Sequence, residues 1–260
     1  MALNTEEREE SLAILERLRP LDDDFMRVMF RDKGTAEVVL RIIMGKDDLQ
    51  VTDCHTQEDM RRLAGARSIC LDALATDADG KKYNIEVQRA IYGAKPKRAR
   101  YHTSVMDIEF LDKNDDFDRL PECYVIFITE KDTMGDGEAI HVFERLDLKT
   151  GKPLNDEQHV LYINGAYVGS EKIGMLMHDF RCSSASDMLI PEIAERTRYL
   201  KETPEGVEIM CQLMEERIYR KEIEFAKKLI AMGVNTLEQI AEASGLTLEK
   251  VRELANQKAC

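Results

Sequence analysis

Asp72 interrupts the apolar run SICLDALA, and Glu86 and Gln88 stand two apart in KYNIEVQ. A carboxylate in the middle of a buried strand is costly unless it is paired or holds a metal. Side chains alternate along a strand, so Ile85 and Val87 face one way and Asn84, Glu86 and Gln88 the other. The turn between the two runs decides whether Asp72 joins them. If Ala78, Asp79 and Gly80 form a three-residue loop with Gly80 left-handed, Asp77 pairs with Lys81, and counting inward sets Asp72 opposite Glu86. A two-residue loop puts Asp72 on the other face. Two adjacent carboxylates repel, and one takes up a proton unless a cation sits between them. Mg2+ suits the place, being hard, oxygen-loving and content with one or two carboxylates plus waters. Such an ion lowers the pKa of a bound water and polarises a phosphoryl oxygen, which is the chemistry of phosphodiester hydrolysis. The competing reading is structural: Asp72 caps or pairs with an arginine, and Glu86 and Gln88 form a solvated strand face.

The elements around these residues read as a mixed α/β domain up to about residue 180. Helical periodicity covers 5–18, with Leu12, Leu15 and Leu18 on one side. The acidic run Asp22 to Asp24 suits a helix start, and a helix over Phe25 to Arg31 would bury Phe25, Val28 and Met29. Another runs from Thr35 to Met44 and ends near Gly45. Residues 67–89 are two β-type runs around the turn. A helix follows Pro96 to about Leu111, and CYVIFIT (123–129) is a continuous apolar run that predicts a buried central strand. Strands over Ala139 to Asp147 and His159 to Ile163, then a short helix over Glu171 to Phe180, complete the domain. The remainder is helical, divided into an extension (190–232) and a tail (233–260) broken at Gly245.

Net charge is −13, from 37 basic and 50 acidic residues, which excludes loose whole-surface binding of nucleic acid but not a local basic groove. The basic stretch is KPKRARYH, carrying Lys95, Lys97, Arg98 and Arg100, with no acidic residue from Ala90 to Met106. Arg98 and Tyr101, three apart, share a helix face and could contact phosphates; the bland alternative is a solvated helix start. The six cysteines are scattered without CxxC, and the five histidines show no ligand spacing, so a zinc site is not expected. No run of about 18 apolar residues occurs, and the first residues lack the basic start and apolar middle of a secretory leader. The expectation is a cytoplasmic protein with no membrane partner.

LDALATDADGKKYNIEVQ resembles the Asp…Glu-x-Gln motif of the PD-(D/E)XK nuclease family transposases, relatives of the recombination-promoting nucleases. Asp23, Arg27 and Phe30 in DDFMRVMF resemble the family's N-terminal Asp-x-x-Phe-Lys-x-x-Phe helix, with Met26 in place of the first Phe and Arg27 in place of Lys. RARYH (98–102) is similar to its Arg- and Tyr-bearing helix, and PECYVIFITE to its central strand, so the likeness spans roughly 20–165. The resemblance implies a restriction-endonuclease-like core, a mixed central sheet flanked by helices, with an all-helical C-terminal tail. It implies DNA hydrolysis with Mg2+, for which Mn2+ could substitute. Asp72 and Glu86 would hold the metal, Gln88 would complete the catalytic set, and Asp23 would approach as a further carboxylate. Arg27, Lys97, Arg98 and Tyr101 would contact DNA phosphates. Many nucleases of this fold have Lys where Gln88 stands, and Gln supplies a hydrogen bond but no charge.

TLEQIAEASGLTLEKVREL (236–254) resembles a helix-turn-helix, with Ile240, Ala241, Leu246 and Val251 inward. Its second helix carries Lys250 and Arg252 but also Glu249 and Glu253, a poor phosphate seeker. The stripe Met210, Leu213, Met214, Ile218, Phe225 and Leu229 on the preceding helix reads as core, or as a seam between two copies of the chain. An alternative function follows: a catalytically weak protein that binds DNA or a partner through this helical region.

Overall fold

The computed structural model describes residues 5–59, 70–89, 94–233 and 236–257. Residues 67–69, at the start of the expected hairpin, 90–93, in the run free of acidic residues, and Asn235 lie outside the described residues. Helices lead the chain: α1 (Thr5–Arg17), α2 (Asp23–Met29) and α3 (Lys33–Met44). Asp23 and Asp24 fill the first turn of α2, where carboxylates meet the positive end of the helix dipole. Asp32 caps α3 by accepting from the Thr35 amide, and Gly45, left-handed at φ +63°, closes it.

The strands are β1 (Val51–Asp59), β2 (Cys70–Asp77), β3 (Lys82–Gln88), β4 (Cys123–Thr129), β5 (Ile140–Phe143) and β6 (Gln158–Asn164). They form one mixed sheet in the order β1-β2-β3-β4-β6-β5. The first three run antiparallel, β3, β4 and β6 run parallel, and β5 returns antiparallel on β6. A parallel pair needs a crossover, and α4 (Pro96–Phe110) supplies it between β3 and β4. Every residue of β4 is buried, as a central strand with neighbours on both sides requires.

On one sheet face Leu74, Val125, Phe127 and Tyr162 pack with Ala99 and Met106 of α4. The opposite face carries Ala73, Ala75, Ile85, Ile126 and Ile128, all buried. The matching apolar residues come from α2, α3 and α5 (Lys172–Arg181): Phe25, Met29, Leu40, Leu176 and Phe180. The next helix, α6 (Pro191–Glu202), is tied to this part of the chain by polar anchors. Arg196 Nη2 donates to the Val28 carbonyl (2.8 Å), and Lys201 Nζ donates to the carbonyls of Glu16 (3.0 Å) and Leu18 (2.6 Å).

Two elements differ from the sequence reading. No strand is expected over 51–59, yet β1 forms there. It is an edge strand, and from Val51 to Thr56 only Val51 is buried, so VTDCHTQED has no apolar stripe to show. The strand expected over Ala139 to Asp147 stops at Phe143. Asp147 then turns the chain by accepting from the Lys149 amide (2.8 Å) and the Thr150 hydroxyl (2.8 Å), leaving only an isolated bridge between Leu146 and Pro153.

The chain divides into two compact units, Ala13–Val207 and a helical unit of Met1–Leu12 with Glu208–Cys260. The C-terminal helices are α7 (Pro204–Met232), α8 (Leu237–Ser244) and α9 (Leu248–Gln257). A reciprocal capping box between Thr236 and Gln239 starts α8, and Gly245 at φ +77° ends it. Ala226, Ile240, Leu246, Val251 and Leu254 form the small core beneath. Among the described residues no helix is long and apolar enough to cross a membrane.

Candidate active site

The turn between β2 and β3 is the odd one. The Asp77 amide donates to the Lys81 carbonyl (3.1 Å), the Gly80 amide to the Asp77 carbonyl (3.1 Å), and Gly80 sits at φ +85°. The Asp77 side chain organises the loop, with Oδ1 accepting from the Asp79 and Lys81 amides (2.9 Å each) and Oδ2 from the Tyr83 hydroxyl (2.8 Å). From there the register runs Thr76 to Lys82, Ala75 to Tyr83, Leu74 to Asn84 and Ala73 to Ile85, which brings Asp72 opposite Glu86.

At that level the backbone ladder gives way to side chains. The Asp72 amide donates to Glu86 Oε1 (3.3 Å), and the Val87 amide donates to Asp72 Oδ2 (3.3 Å). Each carboxylate thus satisfies an amide of the other strand, so neither backbone donor is orphaned where the strands part. Glu86 has no exposure and Asp72 is half-buried. Burial pushes the Asp72 carboxyl up from the ordinary range, helped by the negative charge of Asp23 and opposed by Arg27, the Val87 amide and Arg98. Burial also pushes Glu86 up, with Asp72 adding to the shift and Arg98 opposing it. Two buried like charges favour a shared proton or an added cation.

Arg98 closes the site from the first turn of α4. Its Nη2 donates to Glu86 Oε2 (2.9 Å), its Nη1 to Gln88 Oε1 (3.2 Å) and its Nε to His102 Nε2 (3.1 Å). A guanidinium can only donate, so His102 Nε2 accepts and the ring proton sits on Nδ1. That N–H faces Glu86 Oε1 (3.5 Å) and the Asn84 amide (3.0 Å), whose buried Oδ1 has no partner among the described residues and must be the atom turned to the ring for the contact to be a hydrogen bond. Burial, with Arg98 adding to it, lowers the His102 pKa to about 4, so the ring is neutral around pH 7.

Asp72, Glu86, Gln88 and Arg98 therefore meet in one place. Asp23, exposed at the start of α2, and Arg27, one turn on, lie near enough to act on the Asp72 carboxyl. Arg27 Nε is buried with no hydrogen-bond partner among the described residues. Lys97 is exposed, and the Tyr101 ring packs on the apolar cluster under α4. Just beyond Gln88, Arg89 and Arg19 bracket Asp22 and Glu130, with Arg89 Nη1 to Asp22 Oδ1 at 3.0 Å and Arg19 Nη2 to Glu130 Oε1 at 2.9 Å. Sequence reasoning passed over His102 because it sought ligand spacing between histidines. The available signal was its position four residues after Arg98, one helical turn away.

The oxygens at hand could hold one hard cation. Among the described residues no three or more His, Cys, Asp and Glu side chains gather into a cluster fit for a metal. Two carboxylates with the remaining positions left to water suit Mg2+ and do not suit a structural zinc, which takes four nitrogen or sulfur ligands.

No curated protein and no solved structure matches the chain. The model of one family, described as PD-(D/E)XK nuclease family transposase, matches residues 39–170, half of the chain, from the middle of α3 to beyond β6. The six-stranded mixed sheet, its flanking helices and the helical C-terminal region are consistent with the restriction-endonuclease-like fold of that family. The chain belongs to the PD-(D/E)XK nuclease family transposases.

Proposed function

We propose that the protein is a Mg2+-dependent DNA endonuclease that hydrolyses phosphodiester bonds at the site of Asp72, Glu86 and Gln88. The observation that carries this reading is Asp72 set opposite Glu86 across the β2–β3 ladder, each accepting an amide of the other strand, with Gln88 and Arg98 beside them. Asp72 and Glu86 would hold the ion, their positions set by the Val87 and Asp72 amides. When bound, the ion supplies polarisation of a phosphoryl oxygen and a water of lowered pKa. Gln88 orients that water through its side-chain amide, and it contributes no charge of its own. The cationic work falls to Arg98 and Arg27, whose guanidinium groups suit phosphate oxygens. Hydrolysis needs nothing beyond these groups and water, whereas strand transfer would require a second DNA substrate.

The C-terminal region supports a binding role less well. The two cations of α9 already meet carboxylates, Lys250 with Glu253 (2.9 Å) and Arg252 with Glu238 (3.9 Å). The deciding assay is plasmid nicking by wild type and Asp72→Ala in Mg2+, Mn2+ or EDTA. Metal-dependent nicking by wild type that is lost in the variant supports the nuclease. Absence of nicking by folded wild type in both metals turns the reading to a binding protein.

A further inference from the structure

Glu86 already has a cation against it. The carboxylate is fully buried, its Oε1 receives the Asp72 amide, and its Oε2 receives Arg98. Arg98 is not a loose surface residue that happens to reach inward. Each of its three guanidinium nitrogens has a different partner, in Glu86, Gln88 and His102. The third partner is the least replaceable, because the His102 ring is buried against Phe127 (centroids 6.0 Å apart) and its Nδ1 side faces Asn84 and Glu86. The Arg98 donor assigns Nε2 as the acceptor, and packing on Phe127 holds the ring in that orientation.

We infer that Arg98, held in place by His102, is a resident counter-cation of Glu86 that a divalent metal ion must displace in order to load the site. The inference rests on the reading above that Asp72 and Glu86 are metal ligands. Its physical basis is occupancy and charge. A buried carboxylate cannot turn to solvent to serve a second cation, and a dication beside a guanidinium on the same group is strongly repelled in a low-dielectric site. Removing Arg98 therefore strengthens metal binding, the opposite of what losing a merely structural arginine does. His102 is a positioning residue in this scheme and acts through Arg98.

The test is calorimetric titration of Mn2+ into the metal-free full chain at pH 8, without DNA. The chains compared are wild type, Arg98→Met, His102→Leu, His102→Gln and Asp72→Asn, each checked for native circular dichroism. Arg98→Met is expected to bind Mn2+ at least about fivefold more tightly, the lower end of ordinary coupling between sites. His102→Leu moves the same way by a smaller factor. His102→Gln, whose amide oxygen can accept from Arg98 Nε, returns towards wild type. Unchanged or weaker Mn2+ binding by folded Arg98→Met overturns the displacement while leaving the metal site standing. No Mn2+ uptake by wild type and Arg98→Met alike, or binding untouched by Asp72→Asn, overturns the metal site and the displacement with it.

Discussion

Arg98 Nη2 stands 2.9 Å from Glu86 Oε2, so a side chain from the first turn of α4 neutralises a carboxylate in the middle of the sheet. The crossover helix between β3 and β4 is thus part of the site's electrostatics as well as a cover for the sheet. Removing one partner of a buried pair leaves the other charge uncompensated, which costs more than the pair contributes.

The carboxylates are the first thing to change. Asp72→Asn and Glu86→Gln keep shape and hydrogen-bond acceptors but remove charge. Each is expected to lower Mg2+-dependent nicking by at least about 100-fold, since outer partners of metal ligands alone are worth 10- to 100-fold. Single-turnover nicking measures this, and rates equal to wild type would remove these residues from the site.

Gln88 is expected to act on the rate rather than on metal loading. Its Oε1 accepts from Arg98 Nη1 (3.2 Å). Gln88→Ala should lower the single-turnover rate by about 10- to 100-fold while Mn2+ affinity stays near wild type. A variant that loses metal affinity in proportion to rate would make Gln88 a ligand instead.

Three groups of the site shape the pH dependence of stability. The Asp72 and Glu86 carboxyls are raised in the folded chain, where Asp23, Arg27, Arg98, Asn84 and His102 surround them. The folded form then holds more protons than the unfolded one, so stability falls as pH rises from the ordinary carboxylate range, about pH 4, through neutrality. His102, lowered to about 4, has the opposite sign, and its contribution rises between about pH 4 and the usual histidine value near 6.5. Above about pH 7 the carboxylates are joined by Lys201, lowered by burial to about 8, which raises stability as pH rises, and by the Cys54 and Cys123 thiols, raised by burial to about 12, which lower it. Urea unfolding of the metal-free protein from pH 7 to 9, wild type against Glu86→Gln, isolates the carboxylate contribution, since the other groups are common to both. Glu86→Gln, although it leaves Arg98 unpaired and so starts from a lower stability, should lose less stability than wild type between pH 7 and 9. Mg2+ should stabilise wild type more at pH 8 than at pH 6. Parallel profiles for wild type and Glu86→Gln above pH 7 would show that Glu86 is already charged in the folded state.

The β2–β3 turn should be sensitive out of proportion to its exposure. Asp77→Ala removes three hydrogen bonds, and its loss is expected to cost about 2–3 kcal/mol. Gly80→Ala places a side chain at φ +85° and should cost about 1 kcal/mol. Thermal melts check both. Asp77→Ala should also reduce nicking, because the turn sets the register that opposes Asp72 to Glu86.

Phosphate contacts can be separated by salt. In EDTA, Arg27→Ala should reduce the slope of log affinity for DNA against log salt by about one, the value of one phosphate contact. Arg98→Met should reduce it less, because Glu86 already neutralises that guanidinium.

Local chemistry made much of this legible from sequence. The acidic start of α2, the Gly45 and Gly245 caps, the apolar run of β4 and the alternation in β3 are written in short stretches of chain. The hairpin was legible up to one choice, the length of its loop. A loop of three puts Asp72 on the face of Glu86, and a loop of two does not. β1 was invisible because an edge strand half in water needs no apolar pattern, and its place beside β2 comes from pairing, not from composition.

His102 marks the other boundary. In sequence it is one histidine among five without ligand spacing. Only the crossover from β3 through α4 to β4 lays it against Asn84 and Glu86 with its ring turned to Arg98. The sequence by itself determined which residues carry charge and which face of each element they occupy, because those depend on residue type and on periods of 2 and 3.6. Tertiary structure alone decided that Arg98 meets Glu86 rather than solvent, because burial, partner geometry and the resulting proton affinities arise from how distant segments pack.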